Sequence, residues 1–320
     1  MGKSKHAEMK KNNHKILKII IIVLAILTIL GGAAFFAFNY LFGDMKIDNI
    51  TDSDEELGVS TETKQLSEET NIVNIALFGL DGRDMSVDEG RTDSLMILSV
   101  DKNNNIIKLT SILRDSYVEI EGYAPQKINH AYSYGGPVLA IKTINQNFDL
   151  DVKDYVAVNF EQFINIVDVL GGVDITITEA EASKIPGVSG AGTVHLNGEQ
   201  ALAYSRIRYI DSDSVRANRQ KKVLEAILEN IKGCSTAKYI ELVKTIMPSV
   251  VTSLDYSTII SYSSLITSGN ASVQENSVPN KADHPIGGIY EGAWVWRYDI
   301  SAAAQRLHEF IYGDRAGDSL

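Results

Sequence analysis

Residues 72–80, Ile-Val-Asn-Ile-Ala-Leu-Phe-Gly-Leu, run directly into Asp81-Gly82-Arg83-Asp84. The run is nearly continuous in apolar side chains and short, which marks a central strand buried on both faces. The polar residues at its carboxyl end then lie at one edge of a sheet. Working outward, Ser94–Val100 and Ile106–Thr110 read as two more strands joined by the turn Asp101-Lys-Asn-Asn-Asn105. Helical spacing covers Pro137–Phe148 and Glu161–Leu170, and Gly171-Gly172 stops the second of these. Tyr155–Asn159 and Val173–Thr178 are strand-like, and Asn197–Tyr204 is a short helix. Val215–Ile231 is amphipathic, with Leu224, Ile227, Leu228 and Ile231 on one face, and Tyr239–Val250 is a further helix. Ala293–Trp296 and Ile300–Tyr312 add a strand and a helix. Strands alternating with helices predict one layered α/β domain, since nothing between 71 and 312 reads as a linker.

The ends of the chain differ from this domain. Residues 1–18 carry six lysines against Glu8, and Ile19–Phe42 holds no charge at all. A helix of that length spans a hydrocarbon core of ~30 Å. The flanking charge places the basic tail in the cytoplasm and everything after Phe42 outside. A cleaved signal peptide is the rival reading, but the run is too long for its apolar region and no clear cleavage site follows. Residues 43–70 hold nine acids against Lys46 and Lys64, which suggests a poorly ordered acidic tether between the span and a domain at 71–320. The formal net charge of −11 over 320 residues argues against non-specific nucleic-acid binding. Cys234 is the single cysteine, so no intramolecular disulfide can form.

In this acidic chain, four of the ten arginines fall within Arg206-Ile-Arg208 and Arg216-Ala-Asn-Arg219. A guanidinium stays charged and its donor fork matches phosphate oxygens in pairs. Arg206 and Arg208 share a face if extended, and Arg216 and Arg219 share a side of the first turn of a helix capped near Ser214. The free N–H groups of that turn favour an anion too. Surface ion pairing is the plain alternative.

Three further clusters sit at predicted strand ends: Asp81-Gly82-Arg83-Asp84, Arg91-Thr92-Asp93-Ser94, and Ser111-Ile-Leu-Arg114-Asp115-Ser116. Strand pairing would bring Asp81 close to Asp93, and two neighbouring carboxylates call for a cation such as Mg²⁺ with phosphate oxygens completing its shell. A turn cap at Asp81 and an Arg91–Asp93 ion pair are the alternative. No phosphate loop of the nucleotide-binding kind, no metal-type histidine spacing and no nucleophile-elbow motif is present. Trp294 and Trp296 alternate and either line a groove or divide between core and surface.

Taken in order, Gly79-Leu-Asp81-Gly-Arg83, Arg91-Thr-Asp93, Ser111-Ile-Leu-Arg114-Asp115-Ser-Tyr-Val, Lys127-Ile-Asn129-His-Ala-Tyr, Gly171-Gly-Val173, Leu196-Asn-Gly198-Glu-Gln-Ala201 and Arg206-Ile-Arg208 with Arg216-Ala-Asn-Arg219-Gln220 resemble the LytR-CpsA-Psr family of bacterial cell-wall enzymes. The resemblance covers about 71–228. It implies a mixed central β-sheet flanked by helices, an α/β/α domain behind a single transmembrane helix, with an apolar channel for a lipid tail. It implies transfer of a glycan-phosphate from a polyprenyl-pyrophosphate-linked glycopolymer, such as wall teichoic acid or capsular polysaccharide, to a peptidoglycan hydroxyl, outside a Gram-positive cell. By motif match, Asp81 and Asp93 are the carboxylates associated with Mg²⁺ (or Mn²⁺). Arg114, Arg206, Arg208, Arg216 and Arg219 are the pyrophosphate-binding arginines, and Arg83, Arg91 and Gln220 occupy further motif positions. Asp81, Asp93 and Asp115 are alternative acceptors for the hydroxyl proton. The chain departs from the family pattern at Leu113, where proline is usual, and in Asp211–Val215, which lacks the usual glycines. A non-catalytic polyprenyl-phosphate scaffold or sensor, and a pyrophosphate hydrolase, are the competing functions.

Overall fold

The structure is a computed structural model and describes residues 47–81, 92–207, 213–232, 234–247, 250–262, 265 and 270–313. The expected cytoplasmic tail and membrane span at 1–42 lie outside these, as do Asp44, Arg83, Arg91, Arg208 and Asp211. Among the described residues no helix is long and apolar enough to cross a membrane.

In chain order the elements are α1 (Thr61–Thr70), β1 (Ile72–Leu80), β2 (Thr92–Asp101), β3 (Ile106–Ile112), β4 (Tyr117–Val118), β5 (Gln126–Lys127), α2 (His130–Phe148), β6 (Asp154–Val158), α3 (Phe160–Val169), β7 (Val173–Ile177), α4 (Glu179–Ala182), β8 (Gly192–Leu196), α5 (Gly198–Ser205) and α6 (Asp213–Ile231). They continue with α7 (Thr236–Ile246), β9 (Val251–Thr252), α8 (Tyr256–Ser261), β10 (Ser272–Val278), β11 (Ile286–Tyr290), β12 (Ala293–Arg297) and α9 (Ile300–Tyr312). Six strands form a mixed sheet in the order β10-β3-β2-β1-β6-β9. The β1–β2 and β2–β3 pairs are antiparallel, whereas β1–β6 and β3–β10 are parallel. β1 lies inside the sheet with helices over both faces, as its apolar run predicts.

The two faces of β1 meet different surroundings. Ala76, Phe78 and Leu80, with Leu95 and Ile97 of β2, join Ile141, Ile144 and Phe148 of α2 and Leu307 and Ile311 of α9 in one dry core. Leu77 and Gly79 point the other way and are only half-buried, because a cavity lies beyond them. α2 is kinked at Gly135 and Gly136, and Pro137 opens its long second part, where a missing N–H costs nothing. Gly171 and Gly172, both at positive φ, turn the chain after α3 as expected.

The acidic tether is corrected over its described part. Ser60 caps α1 by accepting from the Thr63 amide, and the Thr63 hydroxyl donates to Asp149 at 2.7 Å. Leu57 is fully buried in the main core, where Ile50, Val59 and Leu66 pack at its margin. Composition hid this because the few apolar residues all face inward, while most of the acids face water. β10 also escaped the sequence reading: Ser-Val-Gln-Glu-Asn-Ser-Val has the polarity of a loop, but it is an edge strand and needs only one partner.

Candidate functional site

The cavity beyond Leu77 occupies about 300 Å³ between the sheet and α3, α5, α6 and α7. Met96, Val156 and Val158 form its floor, and Phe163, Ile166, Leu202, Val223, Leu224 and Ile227 form its walls. The helical residues carry the same periodicity that a solid core would require, so sequence alone could not separate a channel wall from a core face.

Its polar side chains are those of Asp93, Ser94, Asn159, Ser205, Arg206, Arg216 and Gln220, with Gly79 beside Ser94. Strand geometry explains why they meet. Gly79 pairs with Ser94 and Leu80 with Thr92, so a bulge at Asp93 sets that carboxylate out of the regular ladder. A Cβ on Gly79 would stand 3.0 Å from the Ser94 Cβ, so glycine allows this close approach. Asp81 follows directly at the exposed end of β1, on the same sheet edge.

Arg206 enters from α5. Asn197 and Gln200 form a reciprocal cap at the start of that helix, and Arg206 ends it. The Arg206 guanidinium lies over the Phe160 ring at 4.2 Å from its centroid, at the start of α3. Arg216 and Gln220 are four apart on α6 and turn the same face to the cavity. Arg206 and Arg216 therefore line one cavity, and the departure at 211–215 does not part them.

Asp93, Ser94, Arg216 and Gln220 also line a small adjoining pocket with Ser111, Arg114, Asp115 and Trp296. Arg114 Nη1 donates to Asp93 Oδ1, and its Nε lies 3.4 Å from Asp115 Oδ2. Lys127 Nζ donates to Asp115 Oδ1 at 2.8 Å. Both oxygens of Asp115 thus face cations, which suits orienting Arg114 better than removing a proton. Leu113 donates its amide to Val278 O at 2.8 Å, a bond proline could not make, so this departure ties the Arg114 loop to β10.

Arg219 is placed differently from the sequence expectation. Its side chain is 2% exposed and lines neither pocket. Nε donates to Glu181 Oε1 at 2.7 Å and Nη1 to the Ile207 carbonyl at 3.3 Å. Burial pushes the Glu181 carboxyl up, but the Thr178 amide, Arg219 and the Thr178 hydroxyl outweigh it and hold the group below its ordinary range. Arg219 therefore fixes the chain at Ile207, next to Arg206. Nothing in the sequence marked Glu181 as its partner, since α4 is a single short turn with ordinary surface composition.

Two carboxylates at the ends of neighbouring strands, beside arginines, make a donor set that fits Mg²⁺ or Mn²⁺ completed by phosphate oxygens. Among the described residues no group of three His, Cys, Asp or Glu side chains gathers to hold an ion by itself.

The LytR_cpsA_psr family profile matches residues 39–310. The chain belongs to the LytR_cpsA_psr family. It is 35% identical to the Oceanobacillus iheyensis polyisoprenyl-teichoic acid--peptidoglycan teichoic acid transferase TagU, over 73% of this chain and 75% of that one. The Bacillus mycoides transferase of the same name is 33% identical over 93% of this chain and 95% of its own. Among solved structures, TagT bound to LI-WTA superposes with a TM-score of 0.64 at 26% identity, covering 85% of this chain and 96% of that one. The mixed sheet between helices is thus the fold of LytR_cpsA_psr proteins.

Proposed function

We propose that this chain transfers a teichoic-acid-type glycan-phosphate from a polyprenyl pyrophosphate carrier to a peptidoglycan hydroxyl. The observation that carries the reading is a cavity with apolar walls whose polar lining includes Arg206, Arg216, Gln220 and Asp93. A polyprenyl tail is uncharged and long, and a pyrophosphate needs several fixed donors, so one ligand satisfies both parts. The TagU relatives, named for transfer of polyisoprenyl-linked teichoic acid to peptidoglycan, support the same donor and acceptor.

In the reaction, the acceptor oxygen bonds to the glycan-linked phosphorus. The bond from that phosphorus to the bridging oxygen breaks, and polyprenyl phosphate leaves with the electron pair. Arg206 and Arg216 hold the pyrophosphate oxygens and stabilise the charge that grows on the leaving phosphate. Arg114, oriented by Asp93 and Asp115, faces the other side of the same phosphoryl group. With Asp115 held by Arg114 and Lys127, and Asp93 by Arg114, the hydroxyl proton passes to Asp81. Mg²⁺ held by Asp81 and Asp93 would neutralise further phosphate charge. Arg83, Arg91 and Arg208, which lie outside the described residues, would supply further guanidinium groups by the motif match alone. The apolar span at 19–42 anchors the domain outside the membrane, beside its lipid substrate and within reach of the wall.

The test is an assay of the full-length chain in lipid nanodiscs with a polyprenyl-pyrophosphate-linked teichoic precursor, with and without peptidoglycan and Mg²⁺. Polymer attached to peptidoglycan, lost in Arg206→Ala and Arg216→Ala, is expected. Donor bound but never cleaved identifies a scaffold, and donor cleaved equally without peptidoglycan identifies a hydrolase. Either result overturns the transfer reading.

A further inference from the structure

The hairpin of β11 and β12 carries both tryptophans of the chain. In its register Gly287 faces Trp296 and Ile289 faces Trp294, so these four share one face. Val295, on the opposite face, is fully buried against the domain. The outward face is apolar and open: Ile289 is 80% and Trp294 39% exposed. The indoles meet edge to face at 4.9 Å between centroids, and Gly287 leaves room for them, since a Cβ there would come within 2.9 Å of both rings. None of the four residues carries a charge.

This face is continuous with the reaction site. The Trp296 amide donates to the Asp115 carbonyl at 2.9 Å, and its ring lines the small pocket with Arg114, Asp115, Arg216 and Gln220. Among the described residues its buried indole N–H has no hydrogen-bond partner, an arrangement that normally costs free energy unless a ligand accepts the bond.

In-line displacement puts the attacking hydroxyl opposite the leaving group. Resting on the transfer reading, the leaving polyprenyl phosphate lies in the apolar cavity on one side of Arg216 and Gln220. The acceptor then arrives on the other side, through the small pocket that Trp296 lines. We infer that the Trp294–Trp296–Ile289 face is the acceptor subsite, binding the sugar rings of a peptidoglycan glycan strand while the Trp296 N–H bonds to an acceptor oxygen. Apolar faces of pyranose rings stack on exposed indoles, and a charge-free surface suits an N-acetylated sugar chain better than the phosphate-rich donor polymer.

Because both tryptophans lie on this face, intrinsic tryptophan emission of the full-length chain reports on it alone. Titration with peptide-free peptidoglycan tetrasaccharide is expected to change the emission saturably. Trp294→Ala and Ile289→Ser should each weaken that binding, and raise the acceptor KM, about tenfold, which corresponds to losing ~1.4 kcal/mol of contact. The KM for the lipid donor should stay within about twofold of the parent value, a split that general unfolding would not give. An unchanged emission, an unchanged tetrasaccharide affinity in Trp294→Ala, or a response to poly(glycerol phosphate) in place of the tetrasaccharide would each overturn the assignment. Tetrasaccharide binding that persists while no polymer is transferred would leave the subsite standing and overturn only the transfer reading.

Discussion

Replacing Arg219 by methionine removes one half of a buried ion pair while keeping much of the packing volume. In the native chain Glu181 is 8% exposed on its side chain and accepts at 2.7 Å from Arg219, at 2.8 Å from the Thr178 amide and at 2.9 Å from the Thr178 hydroxyl. Removing one partner of such a pair strands a buried charge, at a cost of about 3–5 kcal/mol. For a domain of this size each kcal/mol lowers Tm by about 2–4 °C, so a fall of roughly 6–20 °C is expected. The pH dependence adds a second check. Glu181 has a lowered pKa in the folded chain, so its pairing contributes stability above the unfolded value of 4.5 and loses it as pH falls through the folded value. Without Arg219 only the Thr178 groups oppose burial, so the same carboxyl is protonated sooner on acidification than in the parent. The Tm gap between variant and parent should therefore narrow from pH 7 to pH 4. Adding Glu181→Gln to Arg219→Met should recover at least half of the loss, because no bare charge then stays buried. Thermal unfolding followed by circular dichroism measures all three quantities. A Tm within ~2 °C of the parent, where ordinary surface changes fall, or a gap independent of pH, would refute the structural role of Arg219.

Two further outcomes follow from the same geometry. Leu57→Ala should destabilise the domain by about 2–5 kcal/mol, as for other fully buried leucines, measured by urea unfolding; a change under ~0.5 kcal/mol would mean that residues 47–60 are a tether after all. On α6, burial first, then a shared proton with Glu275 and the charge of that residue, raise the Glu225 carboxyl to about 7. Its folded pKa lies above the unfolded 4.5, so the associated stability is present below pH 4.5 and lost as pH rises through about 7. Glu225→Gln should then be the more stable form at pH 8, by on the order of 1 kcal/mol after allowing for solvent screening, with the advantage gone at pH 4. Paired melts at the two pH values decide it, and an equal difference at both would count against the proton-sharing pair.

Much of the fold was legible because its signals are local. The apolar run at 72–80 could only be an interior strand, and Ile300–Tyr312 shows a helical stripe between a capping Asp299 and Gly313. β10 and α1 were not legible, since an edge strand and a charged helix take their places from what they pack against. The site was legible in part for the same reason. Asp93, Arg114, Arg206, Arg216 and Gln220 carry chemistry in their side chains and keep their spacing in recognisable motifs. Arg219 belongs to the same motif and looks identical in sequence, yet it faces Glu181 and lines neither pocket.

The amino-acid sequence by itself determined the layered α/β order, the charged residues at the strand ends and the family to which they belong, because periodicity and motif spacing are properties of the chain. Tertiary structure alone decided that the helices over Leu77 stand off to leave a cavity, that Arg206 and Arg216 line it together, and that Trp296 adjoins Asp115. These depend on distances between elements far apart in sequence: on the bulge at Asp93, on the Arg219–Glu181 pair that fixes the chain beside Arg206, and on the register that lays β12 against the Arg114 loop.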